Sequence, residues 1–210
     1  MPKTSRSIDE VNEIKETILS EAIKLMDQEG FDNMSMRKLA QRMSMTAANI
    51  YNYYSNKDEL YLAMQTWGFV QMQKSFIVAC DNIEDPAERL SIIIRKYLTY
   101  GIENFQIYNI IFSMNSPKYM DYSETDLEPV AYREKEAGLM ILDFTVNLIE
   151  EIKERYEILL DSRFYAVKIW TQLHGVVSLI NSRVLQETVE DYDDIVEEII
   201  SDIMKKFELG

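Results

Sequence analysis

Cysteine and histidine are almost missing from this chain: Cys80 and His174 each stand alone among 210 residues. A lone cysteine excludes an internal disulfide, and with a lone histidine it leaves no thiolate or imidazole cluster for a metal. There is no glycine-rich phosphate loop and no serine or cysteine in a nucleophile setting. Catalysis therefore finds no support, and the chain is read as a non-enzyme that needs no cofactor. Six glycines and four prolines leave little room for hairpins, so an all-α chain is the natural reading. No apolar stretch resembles a signal peptide or a membrane span, so the expectation is a cytoplasmic protein without a membrane partner. Acids are plentiful: 36 against 22 bases give a formal charge of −14. They are read as carboxylates on solvated helical faces.

One local exception breaks this acidic pattern. From Asn33 to Lys57 there are four bases (Arg37, Lys38, Arg42 and Lys57) and no Asp or Glu. Residues 1–60 hold 8 bases and 10 acids, whereas the remaining 150 residues hold 14 and 26. DNA would be repelled by most of such a molecule and accepted at one end only.

Periodicity and capping divide the chain further. Val11, Ile14, Ile18, Ala22 and Leu25 recur every three or four residues, predicting a helix over 8–29 that Gly30 stops. Ser35 and Thr46 are good N-caps for two short helices, with Met34–Leu39 and Met45–Ile50 placed as hydrophobic staples. A fourth helix is predicted from Ser55 or Asn56 to about Cys80, capped by Ser55 with Asp58 or by Asn56 with Glu59. Beyond the Asp81–Pro86 boundary, helices are expected over about 86–103, 105–114, 132–160, 161–186 and 192–209, with 115–130 a loop or partly helical cover. That makes about nine helices: a head at 8–54, a connecting helix at 55–80, and a larger unit at 81–210. Segment 161–186 has an apolar stripe and, opposite it, a row of small residues (Thr171, Gly175, Ser178, Ser182). With Ile199 and Ile203 of the last helix, this row is a candidate surface for a symmetric four-helix dimer.

The stretch SMRKLAQRMSMT followed by Ile50-Tyr51-Asn52-Tyr53-Tyr54, then Lys57 and Leu60, resembles the tetracycline-repressor (TetR) family of transcriptional regulators. Three departures stand out. Ser44 sits where the family often has Gly in the turn. Ala48 replaces a common Gly or Pro, and Tyr53-Tyr54 replaces His-Phe. A second short run, Trp170-Thr171-Gln172-Leu173-His174-Gly175, is similar to a Trp-x-x-x-His-Gly signature of one subgroup.

The resemblance implies a helix-turn-helix head whose third helix enters the major groove of an operator, and a helical domain for ligand binding and dimerisation. The DNA-contacting positions it implies are Ser35, Met36, Arg37, Met45, Thr46, Ala47, Ala48, Tyr51, Asn52, Tyr53 and Lys57. Arg37 reaches either a guanine edge or a phosphate, and the alanines allow close approach to bases. Asn52 reads adenine or donates to a phosphate. The tyrosine hydroxyls and Lys57 suit phosphates. An unknown small-molecule effector is expected among Tyr97, Tyr100, Tyr108, Met114, Phe144, Trp170 and His174, each of which is more often plain core. The expected function is a ligand-responsive repressor that binds a pseudo-palindrome as a homodimer. The alternatives are a DNA-binding protein without a ligand response and a helical interaction module without DNA binding.

Overall fold

Capping side chains set most of the helix starts. In the computed structural model, which describes residues 7–113 and 116–207, Ser7 and Glu10 form a reciprocal capping box at the head of α1 (Ile8–Asn33). Ser35 accepts from the Lys38 amide to open α2 (Met36–Arg42), and Thr46 accepts from the Asn49 amide to open α3 (Ala47–Tyr51). α4 (Lys57–Ala79) starts where Asn56 Oδ1 accepts from the Glu59 amide at 2.8 Å. Asp85 accepts from two amides at the start of α5 (Pro86–Glu103), whose first residue needs no donor of its own. There follow α6 (Phe105–Phe112), a 3₁₀ turn (Tyr119–Tyr122), α7 (Glu128–Tyr156), α8 (Ser162–Asn181), α9 (Val184–Thr188) and α10 (Tyr192–Met204). The described residues contain no strand.

Several expected boundaries move. Gly30 does break the first helix, with φ 76°, but one further turn re-forms as far as Asn33. α7 begins at Glu128 rather than Tyr132 and ends at Tyr156. The expected 161–186 helix is cut at Arg183, whose φ of 62° is left-handed, and the remainder becomes α9, so the described residues form ten α-helices against about nine expected. The Asn181 amide donates to the Gly101 carbonyl at 3.0 Å and ties down that end of α8. The last helix closes at Met204, and Leu209 lies outside the described residues.

Packing groups the chain into two units: the described residues up to Gly68 with Gln106–Glu136, and Phe69–Phe105 with the described residues from Ala137 onward. In unit one, α2 packs on α1 and on α3. Ile18, Ala22, Met26, Leu39 and Ile50 are buried there, each worth roughly 1–3 kcal/mol against exposure. Helices as short as α2 and α3 are marginal alone, so this shared core is what holds them. Leu62 of α4 joins Tyr122 and Ala131 in a further cluster, flanked by Tyr119, Leu127 and Val130. In unit two, α5 turns Leu90, Ile93, Ile94, Tyr97 and Leu98 inward and packs against α8 and α10.

Candidate nucleic-acid interface

The turn between α2 and α3 is a Schellman motif. The Met45 amide donates to the Ala40 carbonyl at 2.8 Å and the Ser44 amide to the Gln41 carbonyl at 3.1 Å. Ser44 occupies the left-handed position of that motif, with φ 53°. The motif needs positive φ here, and serine adopts it at some strain. Ile50 and Tyr54 are buried and hold α3 to the head. Burial raises the Tyr54 phenol well above its ordinary value, with Glu59 adding to the effect. Lys15 of α1 lies 5.9 Å from the Tyr54 ring centroid, a cation–π contact whose partners are 39 residues apart in sequence.

Arg37, Thr46, Ala48, Tyr51 and Asn52 are exposed along the outer face of α2, the turn and α3, with Tyr51 showing 50% of its surface. Ser35, Met45, Ala47, Tyr53 and Lys57 are half-buried beside them. Met36 is the exception. It lies 4% exposed in the core of the head, so the expectation that it contacts DNA is corrected: the first helical residue of α2 faces inward.

The basic run is less free in space than in sequence. Lys38 pairs with Glu29 and donates to the Asn33 carbonyl at 2.9 Å. Arg42 donates to Glu21 at 2.8 Å and to Gln28 at 2.9 Å. Hydrogen bonds from Lys24 and Arg42 hold the Glu21 carboxyl below its ordinary range. α1 thus supplies acids that the 33–57 segment lacks. Among the described residues Arg37 enters no ion pair.

The expected effector residues fall in both units. Tyr108 belongs to unit one, where it lies 4.8 Å from Phe112, while Tyr97, Tyr100, Phe144, Trp170 and His174 belong to unit two. Within unit two the Trp170 indole donates to the Tyr97 hydroxyl at 3.1 Å, and Phe144 meets Phe76 at 6.4 Å. Burial lowers the His174 imidazole from its ordinary value. Met114 lies outside the described residues. Of the expected dimer residues, Thr171, Ser178 and Ser182 are exposed, and Gly175 has open space where a Cβ would stand. Ile199 is half-buried, and Ile203 is buried within its own unit.

A polar cluster that sequence reasoning passed over lies in unit one. The Tyr61 hydroxyl and the Gln65 amide both donate to the Ile110 carbonyl, at 2.8 and 3.4 Å. Gln65 is 1% exposed, yet its Oε1 has no donor, and the buried Tyr122 hydroxyl has no partner either. Burial pushes the Tyr61 and Tyr122 phenols up to about 12, with Glu134 acting on both and Asp58 on Tyr122. Burial also raises the Glu134 carboxyl above its ordinary 4.5, opposed by Lys118. The expectation that carboxylates lie only on solvated faces fails at Glu134. Unmet buried donors and acceptors cost about 1–3 kcal/mol each.

The profile of the family described as bacterial regulatory proteins, tetR family, matches residues 18–64, from mid-α1 into α4. An uncharacterized HTH-type transcriptional regulator of Haemophilus influenzae is 44% identical over 48 residues, which are 23% of this chain and 26% of that protein. The match thus spans about a quarter of that relative's length. The solved structure of the fatty acid degradation regulator FadR from Bacillus halodurans superposes with a TM-score of 0.68 over 99% of this chain and 98% of its own, at 16% identity. That of AibR in complex with isovaleryl coenzyme A and operator DNA gives 0.63 over 89% and 95%, at 19% identity. Likeness at such identities establishes the fold. The tetR-family match covers the N-terminal head, and the likeness over the rest of the chain is one of fold.

Proposed function

We propose that the chain is a cytoplasmic DNA-binding transcriptional regulator, a repressor that binds a pseudo-palindromic operator as a homodimer and responds to a small molecule. The observation that carries this reading is the outer face of α2, the turn and α3. There Arg37, Thr46, Ala48, Tyr51 and Asn52 stand exposed on a capped, tightly packed head. Two such heads would read half-sites about 34–36 Å apart, one turn of the duplex. Nothing in the family match points to catalysis, and no helix among the described residues is long and apolar enough to cross a membrane.

The ligand response is supported by the shared fold with AibR, solved with an acyl-coenzyme A and operator DNA. Within this chain, the Gln65–Tyr122–Glu134 group is a candidate for recognition beside the expected aromatics. It offers an acceptor, a hydroxyl and a desolvated carboxyl on α4, the 3₁₀ turn and α7 of the head's own unit. A guest donating to Gln65 Oε1 acts on the helix that leaves the head. A coupling of about 1–3 kcal/mol, or about 5–150-fold in operator affinity, is the usual scale.

Fluorescence anisotropy with duplex DNA tests the DNA reading. Tyr51→Ala should weaken binding to every duplex, while Arg37→Ala should relax preference at one base position. Equal losses on all sequences would reassign Arg37 to a phosphate.

A further inference from the structure

Where the first turns of α8 approach the end of α10, unit two holds a half-open cleft of about 270 Å³. Ile203 and Phe207 give it an apolar wall, and Lys168, Lys205 and Lys206 line it around Tyr165. Lys168 and Lys206 place their Nζ atoms 5.6 and 5.8 Å from the Tyr165 ring centroid. Phe207 meets the same ring edge-on at 6.2 Å and fixes it.

The charge here runs against its surroundings. Unit two carries eleven bases and twenty acids. Arg89, Arg95, Lys153, Arg155 and Arg163 of this unit pair with carboxylates, while Lys74, Lys96 and Arg183, spread over other segments, enter no ion pair among the described residues. Among the described residues, none of the three cleft lysines is ion-paired, and Asp202 is the one carboxylate in the lining. Three ammonium groups against one carboxylate leave two positive charges to be matched. A phosphate monoester, at about −1.5 to −2 near neutral pH, matches them, and a single carboxylate does not. The volume is just below the usual range of about 300–1,000 Å³ for ligand pockets, which suits a small molecule.

We propose that this cleft binds a small phosphate-bearing molecule, its phosphate held by Lys168, Lys205 and Lys206 and its body resting on Tyr165, Ile203 and Phe207. The inference uses no residue of the head, and Ile203, also a candidate dimer residue, is here buried within its own unit.

The test is calorimetric titration of the full chain with pyrophosphate and with AMP, on wild type, on Lys168→Gln/Lys206→Gln and on Lys153→Gln. Lys153, paired with Glu150, controls for general loss of charge. The expected result is saturable binding of one ligand per chain. The double variant should weaken it at least about tenfold while Lys153→Gln leaves it unchanged, both variants keeping the wild-type melting temperature. No saturation by about 10 mM, or an equal loss in Lys153→Gln, would overturn the proposal. Acetylation footprinting separates a rival occupant. Ligand should protect the three lysines, whereas protection that grows with protein concentration in ligand-free samples means that a second copy fills the cleft and the proposal fails.

Discussion

Ser44 holds a φ of 53° at the left-handed position of the turn that aims α3. Glycine there removes a steric cost of about 1–2 kcal/mol and gives back part of it as unfolded-chain entropy. Ser44→Gly should therefore raise the melting temperature by a small amount without changing the spectrum of a folded helical protein. A lower melting temperature would show that the serine is held by contacts not accounted for here. Met36 gives a second residue-scale expectation. Met36→Ala should cost about 2–5 kcal/mol as a core truncation, and Met36→Leu less than about 1.5, with DNA affinity preserved in the latter. Loss of DNA binding by a stable Met36→Leu head would return Met36 to the interface.

Glu134 adds a pH signature. Its folded-state value lies above the ordinary 4.5, so the ionised carboxylate costs stability at neutral pH, and that cost is relieved as the pH falls through the folded value towards 4.5. Glu134→Gln should thus melt higher than wild type at neutral pH, and the gain should vanish below pH 4.5. A constant offset at all pH values would mean that the carboxyl titrates normally.

At the scale of elements, the close approach of α4 and α6 depends on Gly68. A Cβ there would stand 2.6 Å from Ile107 Cγ1 and from Ile111 Cδ1. Gly68→Ala should cost about 1–3 kcal/mol by overpacking, read as a drop in the denaturant midpoint at unchanged slope. Nothing in the sequence marks that glycine, because close approach between helices far apart in the chain leaves no local pattern. Local chemistry was legible: Ser35, Thr46 and Asn56 cap their helices as the spacing implies, because a cap acts within a single turn. The break at Arg183 was not, since a non-glycine left-handed residue has no strong signature. The ion pairs of Lys38 and Arg42 were not legible either: Glu29 and Glu21 are remote in sequence, and only the packing of α2 on α1 brings them near. The candidate guest site escaped for the same reason, because Gln65, Tyr122 and Glu134 come from three separate segments.

For the whole molecule, charge decides where DNA can sit. With a formal −14, affinity must come from the head, and two of the four bases between residues 33 and 57 are engaged by acids of α1. A dimer using all eight of those bases on phosphates would give a salt slope of about −7, so a shallower slope is expected if Lys38 and Arg42 keep their partners. The most direct test of the central claim is selection of duplex DNA from a random pool by the 210-residue chain, with the affinity of the winners followed against salt. The account predicts a palindromic consensus with half-sites one helical turn apart and a slope shallower than that limit. No enrichment, with weak binding even at low salt, would contradict it and leave a helical protein whose head does not read DNA.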